Sequence, residues 1–432
     1  MDDTDSPNGG CTTHVLTDLI DLARTSGLDL IGEPRLVRLN PNVPWKTRGN
    51  AALSARFGAG VGPRRAVGEI ERRTVWSYAR SRAPDATAVR AFERAAWDRV
   101  LRGSRSGEEG TDPALVVAPR HLPAALYWKA VREVVPVAEA RANLERAGAS
   151  WWTESSDRGL VGAAAAVAWP GRHPTWELTS YRDPARLGSP REIDGESVRR
   201  VARETASLFL CDDPRTRRLL VAPHTSCPIL FGLRGTRPAD LLRARGRVRS
   251  EPVDRWVLFR TNQGTGDHLV RRRAAGLGPF LSARVVGTVA QPPTTLRGGH
   301  VRFVVTDDEG TELECVAFEP TKTLPRVART LVAGDRVEVW GGRGDTTTFR
   351  LEGLRILRLR PRHARPIAPA CPGCGRRAGS LGAGRGYRCP GCRRRWPPEA
   401  AVRERDRPVY PVGEYHPTPS ARRHLAPRGP EP

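Results

Sequence analysis

The sequence predicts a multidomain α+β protein whose second half holds a β-barrel and a metal-binding ribbon. Three observations carry this. Helical and strand-like apolar spacings alternate through the first half. Five alternating apolar segments with a helix-like stretch between the third and fourth occupy 283–358. Two C-x-x-C pairs follow between 371 and 392. A chain of 432 residues suggests about three domains, and a hydrophobic share of 39% is enough for several buried cores.

In chain order, Val15, Leu16, Leu19, Ile20 and Ala23 fall on one helical face and predict a helix over 15–23. Residues 36–39 read as a strand closed by Asn40-Pro41. From about 56 to 150 the chain is rich in Ala and Arg. There Val89, Phe92, Ala96 and Val100 mark one amphipathic helix, and 122–147 suggests another. The stretch 150–275 is mixed α+β with many turns. The sharper pattern is 283–290, 301–305, 313–318, 337–340 and 349–356, with a helix over 327–332. That is the element order of an OB-fold, with another five-stranded barrel as the alternative. Among its aromatics, Phe303, Phe318, Trp340 and Phe349 are expected to be mostly core.

Charge narrows the function. There are 71 Lys+Arg against 47 Asp+Glu, a net +24, and the chain from 361 to 432 carries 15 Arg against 5 acids. The only lysines are Lys46, Lys129 and Lys322. A GC-rich genome trades Lys for Arg but does not create an excess of bases over acids, so an anionic partner such as RNA or DNA is expected. No apolar stretch approaches the roughly 18–20 residues of a spanning helix; the longest, 161–169, is short and alanine-rich. The opening Met1-Asp2-Asp3 lacks a basic-then-apolar leader. Cys11, Cys211, Cys227 and Cys315 are scattered, as in a reducing compartment, so a cytoplasmic location without membrane contact is expected.

The strongest motif is Cys371-Pro-Gly-Cys374, 14 intervening residues, then Cys389-Pro-Gly-Cys392. Paired knuckles let four thiolates close a tetrahedron around one ion, with zinc the default and iron or two disulfides the alternatives. Such a site is closed and structural. Arg376, Arg377, Arg385, Arg388 and 393–395 make the ribbon a candidate nucleic-acid grip.

A second motif opens the chain. Asp2, Asp3 and Asp5 place three carboxylates within four residues, suited to a magnesium ion bridging to phosphates. Gly9-Gly10-Cys11-Thr12-Thr13 then leads into the first helix, where backbone N–H groups and hydroxyls bind phosphate. An acidic terminus with an ordinary Thr cap is the plainer reading. The third motif, 40–50, carries Lys46, Arg48 and Asn50, a compact charge and polar set suited to a triphosphate, or simply a surface loop.

These stretches together resemble the archaeal tRNA-Ile agmatinylcytidine synthetase (TiaS) family. Asp2 to Ser6 with Cys11-Thr12-Thr13 and 35–50 (RLVRLNPNVPWKTRGN) carry the resemblance. So do 158–163 (RGLVGA), 225–235 (TSCPILFGLRG), 251–255 (EPVDR), 317–322 (AFEPTK), the cysteine knuckles and 419–425 (PSARRHL). The resemblance implies an ATP-dependent ligase. It converts the wobble cytidine of CAU-anticodon tRNA-Ile to agmatidine with agmatine as co-substrate, so that AUA is read. ATP phosphorylates the cytosine carbon-2 oxygen, and the amine of agmatine displaces the phosphate. A non-catalytic tRNA- or single-strand-binding protein is the alternative.

The resemblance also implies a kinase-like α/β catalytic domain (1–130), a ferredoxin-like domain (131–275), an OB-fold (276–360), a zinc ribbon (361–400) and a basic C-terminal segment (401–432). Position by position, Asp2, Asp3 and Asp5 would hold Mg2+ on ATP, and Thr12 aligns with an autophosphorylated threonine. Lys46, Arg48 and Asn50 would touch phosphates or activated cytidine. Gly9, Gly10, Thr13 and Asn50 would help bind nucleotide, and Cys371, Cys374, Cys389 and Cys392 would hold Zn2+. Family members place a short apolar strand directly before the acidic motif; here Met1 stands where that strand should end. The first strand of the domain is therefore expected to be missing, either by truncation or because the true start lies upstream, and with it the rigid base of the acidic cluster. In 261–268 (TNQGTGDH) Gly266 interrupts the family pattern, so no role is expected for Asp267.

Overall fold

A computed structural model of the chain describes residues 1–46, 49–360, 365–400, 402–404 and 410–429. Helix α1 (Thr12–Thr25) buries Val15, Leu16, Leu19, Ile20 and Ala23, the face its spacing predicts. It packs beside α2 (Ala86–Gly103), which Asp85 caps through the N–H groups of Thr87 and Ala88. The 122–147 stretch is two helices, not one: α3 (Ala124–Arg132) and α4 (Val137–Ala147). Pro136 lacks an N–H and disfavours helix in the residue before it, so it starts α4 and ends any continuation of α3. The alanine-rich run is α5 (Arg158–Ala168), buried along most of its length because small side chains let it lie close to the strands.

These helices cover both faces of a ribbon of strands. Arg35–Arg38 pairs with Ala51–Ser54. Leu53 then donates to the carbonyl of Met1, and Asp2 exchanges bonds with Ala114 of the Ala114–Val117 strand. That strand pairs with Ser150–Thr153. Alternation sends Leu53 and Leu115 into the core with α1 and α2, and Ala52, Ala114 and Val116 into the core with α3, α4 and α5.

Arg35–Arg38 also runs parallel to Val253–Thr261, and so joins a nine-stranded sheet. Its antiparallel centre is Val253–Thr261, Thr175–Arg182 and Ile229–Gly235, with α6 (Gly195–Glu204) and α7 (Pro238–Arg245) packed on it. The same sheet takes in a long hairpin, Phe57–Ile70 with Arg73–Arg82, that the Ala- and Arg-rich composition concealed.

The barrel forms as its alternation predicts. Ser282–Val289 pairs with both Arg336–Arg343 and Val301–Asp307, while Glu312–Ala317 pairs with Val301–Asp307 and runs parallel to Phe349–Arg358, which closes five strands. Gly287 is required where the strand serves both partners, since a Cβ there would lie 2.4 Å from the Thr306 carbonyl. The helix between strands, α8 (Thr323–Ala328), starts earlier than its predicted span, because Pro325 fits the first turn. Phe303, Trp340 and Phe349 are core; Phe318 is half-buried against His300. No helix among the described residues is long and apolar enough to cross a membrane.

Candidate active site

A cleft of about 760 Å³ opens where the N-terminal strands, the nine-stranded sheet and the C-terminal tail meet. On one side lie Asp2, Asp3 and Asp5. Main-chain bonds from Asp2 to Ala114, from Asp112 to Asp3 and from Arg105 to Thr4 fix this acidic segment to its neighbours. Burial, and then the charge of Asp3, push the Asp2 carboxyl well above the ordinary carboxylate range. Asp3 has φ +57°, a left-handed backbone that costs a non-glycine residue roughly 1–2 kcal/mol. Gly162 makes room for the cluster: a Cβ on it would lie 1.8 Å from Asp2 Oδ2.

Helix α1 points its N-terminus into the same space, with Cys11, Thr12 and Thr13 lining it. Cys11, not a threonine, is the cap residue, and no side chain caps the helix. The first-turn N–H groups thus keep the orientation that favours an anion. Thr12 Oγ1 donates to Asp5 Oδ1 at 3.3 Å. Gly9 and Gly10 do not line the cleft. They shape the turn before the helix; Gly10 takes a left-handed backbone at φ +76°, and a Cβ on it would press on Arg105 Cγ at 3.0 Å and Asp5 Cα at 3.2 Å.

Cations line the same cleft. Lys46 lines it and donates to the Val43 carbonyl, while burial, then Arg423 and Arg350, lower its pKa. Asn50 also lines it and gives one amide N–H to the Asn40 carbonyl at 2.7 Å, holding the loop's ends together. Arg48 lies outside the described residues. Deeper in, burial lowers Arg38 to about 10, and Arg234 sits 3.4 Å from Glu177.

Sequence reasoning missed the group that assembles this cleft. The 261–268 segment is a buried polar junction. Asn262 accepts from the Arg38 N–H at 2.7 Å and donates to the Arg38 carbonyl at 2.9 Å. Gln263 bonds Glu177 and His424. Asp267, expected to have no role, accepts from the Tyr127 hydroxyl at 2.5 Å. The tail after the ribbon returns here: Gly264 donates to the His424 carbonyl, Gly266 to that of Leu425, and Leu425 is core. Arg423 bonds Asn42 at 2.7 Å and reaches Glu352 of the barrel at 2.9 Å; Glu352 in turn meets His268 at 2.9 Å. Burial would raise the Glu352 carboxyl, but Arg423 and His268 outweigh it and hold it at about 2. Arg38, then burial, keep His424 well below the usual imidazole range, so it is neutral at pH 7.

A separate centre lies in the ribbon. The sulfurs of Cys371, Cys374, Cys389 and Cys392 lie within 4.8 Å of one another, on a three-stranded sheet of Gly379–Ser380, Tyr387–Arg388 and Arg395–Trp396. Four thiolates at this spacing fit one tetrahedral zinc with bonds of about 2.3 Å. The Cys392 backbone N–H is the main cause that lowers Cys389 to about 6, while its neighbours Cys374 and Cys392 are raised, so without an ion the four thiols share their protons unevenly.

Comparisons with known proteins converge on one family. Family models described as the TiaS TCKD domain, the TiaS FLD domain and the TiaS C-terminal zinc ribbon domain match residues 1–155, 157–268 and 368–408. The isoleucine-tRNA 2-agmatinylcytidine synthetase TiaS of Methanosarcina mazei is 36% identical over 99% of this chain and 95% of its own. That of Archaeoglobus fulgidus is 35% identical over 99% and 95%. The crystal structure of apo TiaS, an isoleucine-tRNA agmatidine synthetase, superposes with a TM-score of 0.79 at 32% identity over 98% of this chain and 95% of that one. A complex of TiaS with its isoleucine tRNA, AMPCPP and agmatine does so at 0.77 and 30% identity over 99% and 94%. With cleft, ribbon and full-length similarity in agreement, the chain belongs to the TiaS family of isoleucine-tRNA 2-agmatinylcytidine synthetases.

Proposed function

We propose that this cleft joins agmatine to the wobble cytidine of CAU-anticodon tRNA-Ile at the expense of ATP. One observation carries the reading: three carboxylates, an uncapped helix N-terminus and the cations Lys46, Arg38 and Arg234 line one cleft. Phosphoryl transfer needs positioning and charge neutralisation more than covalent help from the protein. ATP phosphorylates the cytosine carbon-2 oxygen; the primary amine of agmatine attacks carbon 2, and phosphate leaves with that oxygen. Asp2, Asp3 and Asp5 line this cleft, but among the described residues only the four cysteines bring three or more ligand atoms within 4.8 Å of one another, so Mg2+ would be held by one or two of these carboxylates together with the phosphates. The α1 N-terminus with Thr13 faces the phosphates, Thr12 is the acceptor for autophosphorylation, and Lys46 and Arg48 serve the phosphates or the activated base. Asn50 shapes their loop.

The N-terminal unit is read as kinase-like and 131–275 as ferredoxin-like, supported by helices on both faces of the N-terminal ribbon and by the antiparallel sheet with α6 and α7. Support for the substrates comes from relatives crystallised as TiaS complexes, one with isoleucine tRNA and ATP and another with isoleucine tRNA, AMPCPP and agmatine. The test is nucleoside mass spectrometry after incubating the protein with unmodified CAU-anticodon tRNA-Ile, Mg-ATP and agmatine. The expected product is cytidine plus agmatine less water at the wobble position. Bound tRNA with no adduct would favour a binding protein without catalysis.

A further inference from the structure

The hairpin of Phe57–Ile70 and Arg73–Arg82 carries six arginines against Glu69 and Glu71, and it has no part in the cleft. Its register puts Arg64 opposite Tyr78, and Ala66 opposite Trp76. Val75 and Ser77 turn inward and are buried; Trp76 and Arg80 alternate with them on the outer face. Arg64 stacks over the Trp76 ring at 4.4 Å, and Trp76 stays 39% exposed. Arg64, Arg80 and Arg82 are all exposed and make no ion pair with a described acid. Guanidinium groups interleaved with aromatic rings are suited to RNA, the cations meeting phosphates and the rings meeting ribose or base faces.

We propose that this face binds the phosphate backbone of the tRNA substrate outside the anticodon arm, as an anchor separate from the reaction cleft. The inference rests on tRNA being the substrate. Its test uses the full-length protein with Arg64→Gln, Arg80→Gln and Arg82→Gln combined. At 150 mM salt its Kd for whole tRNA-Ile should rise by about 10- to 100-fold. The slope of log K against log salt should become shallower by about 2–3, close to one for each phosphate left without its cation. Affinity for an isolated anticodon stem-loop and tRNA-independent ATP turnover should stay at wild-type values. Arg80→Gln alone, the smaller change, should lower the slope by about 1, and Trp76→Ala should weaken whole-tRNA binding with the slope unchanged. Whole-tRNA affinity and slope equal to wild type would overturn the proposal, as would an equal loss on the stem-loop. Wild-type protein making agmatidine in the same preparation separates those outcomes from a failure of the substrate assignment; wild-type protein binding no tRNA would sink both.

Discussion

Asp3 combines a left-handed backbone with a place in a crowded acidic cluster, so a substitution there has two separable effects. Asn tolerates the left-handed region and keeps the shape while removing the charge. Asp3→Asn should therefore lower turnover by about 100-fold or more, the scale of losing one charge-stabilising group, and leave tRNA affinity within about twofold. Equal loss of both would place Asp3 against RNA instead. At Glu352 the shift runs from an ordinary 4.5 to about 2 in the fold. A depressed pKa means the carboxylate's contribution is full above about pH 4.5 and disappears as pH falls toward 2. By linkage that contribution is about 3 kcal/mol. Glu352→Gln should be destabilised at neutral pH and show a flatter acid limb between those values in denaturant titrations. A wild-type-like limb would contradict the pairing. Asn50 lines the cleft and also gives one amide N–H to the Asn40 carbonyl, so the same side chain shapes the loop and stays available to the candidate site.

Among elements, α5 looks like plain core, yet Gly162 in it sets the space Asp2 occupies. Gly162→Ala should gain helix propensity of up to about 1 kcal/mol while displacing the Asp2 carboxylate. The expected result is about a 10-fold or greater fall in turnover with little change in melting temperature; unchanged turnover would show that Asp2 can move freely. The periodic elements were legible: α1 shows its predicted face, and the barrel strands lie within a few residues of their expected limits. The Phe57–Arg82 hairpin was not, because arginine and alanine interrupt its alternation and burial falls on only a few positions such as Val67 and Val75. At 122–147 apolar spacing continues across Pro136, so periodicity suggested one helix where backbone chemistry makes two.

At the scale of the molecule, Arg423 spans Asn42 of the Lys46 loop and Glu352 of the barrel, which His268 meets from the other side. Removing it leaves the buried carboxylate with His268 alone; Arg423→Ala should cost about 2–4 kcal/mol and loosen the Lys46 loop. Hydrogen exchange at 43–46 checks this, and Arg423→Lys should restore only part, since an ammonium lacks the planar fork. The zinc ribbon is independent of the cleft's contacts, so Cys389→Ser or chelation should weaken tRNA binding by about 10-fold or more, the scale of a few phosphate interactions, without removing ATP turnover. Unchanged tRNA affinity in a metal-free ribbon would argue against its role as a grip.

The sequence alone determined the barrel, the metal knuckles, the acidic motif and the sign of the partner's charge. Each of these is written in local spacing: two residues for a strand, three to four for a helix, C-x-x-C for a tetrahedron. Only the tertiary structure showed that tail residues Pro419, Ser420, Arg422 and His424 line the cleft, and that 261–268 holds that tail and Arg38 in place. Their polar side chains have partners tens to hundreds of residues away, and nothing in a one-dimensional pattern distinguishes a buried, satisfied Asn or His from one on the surface.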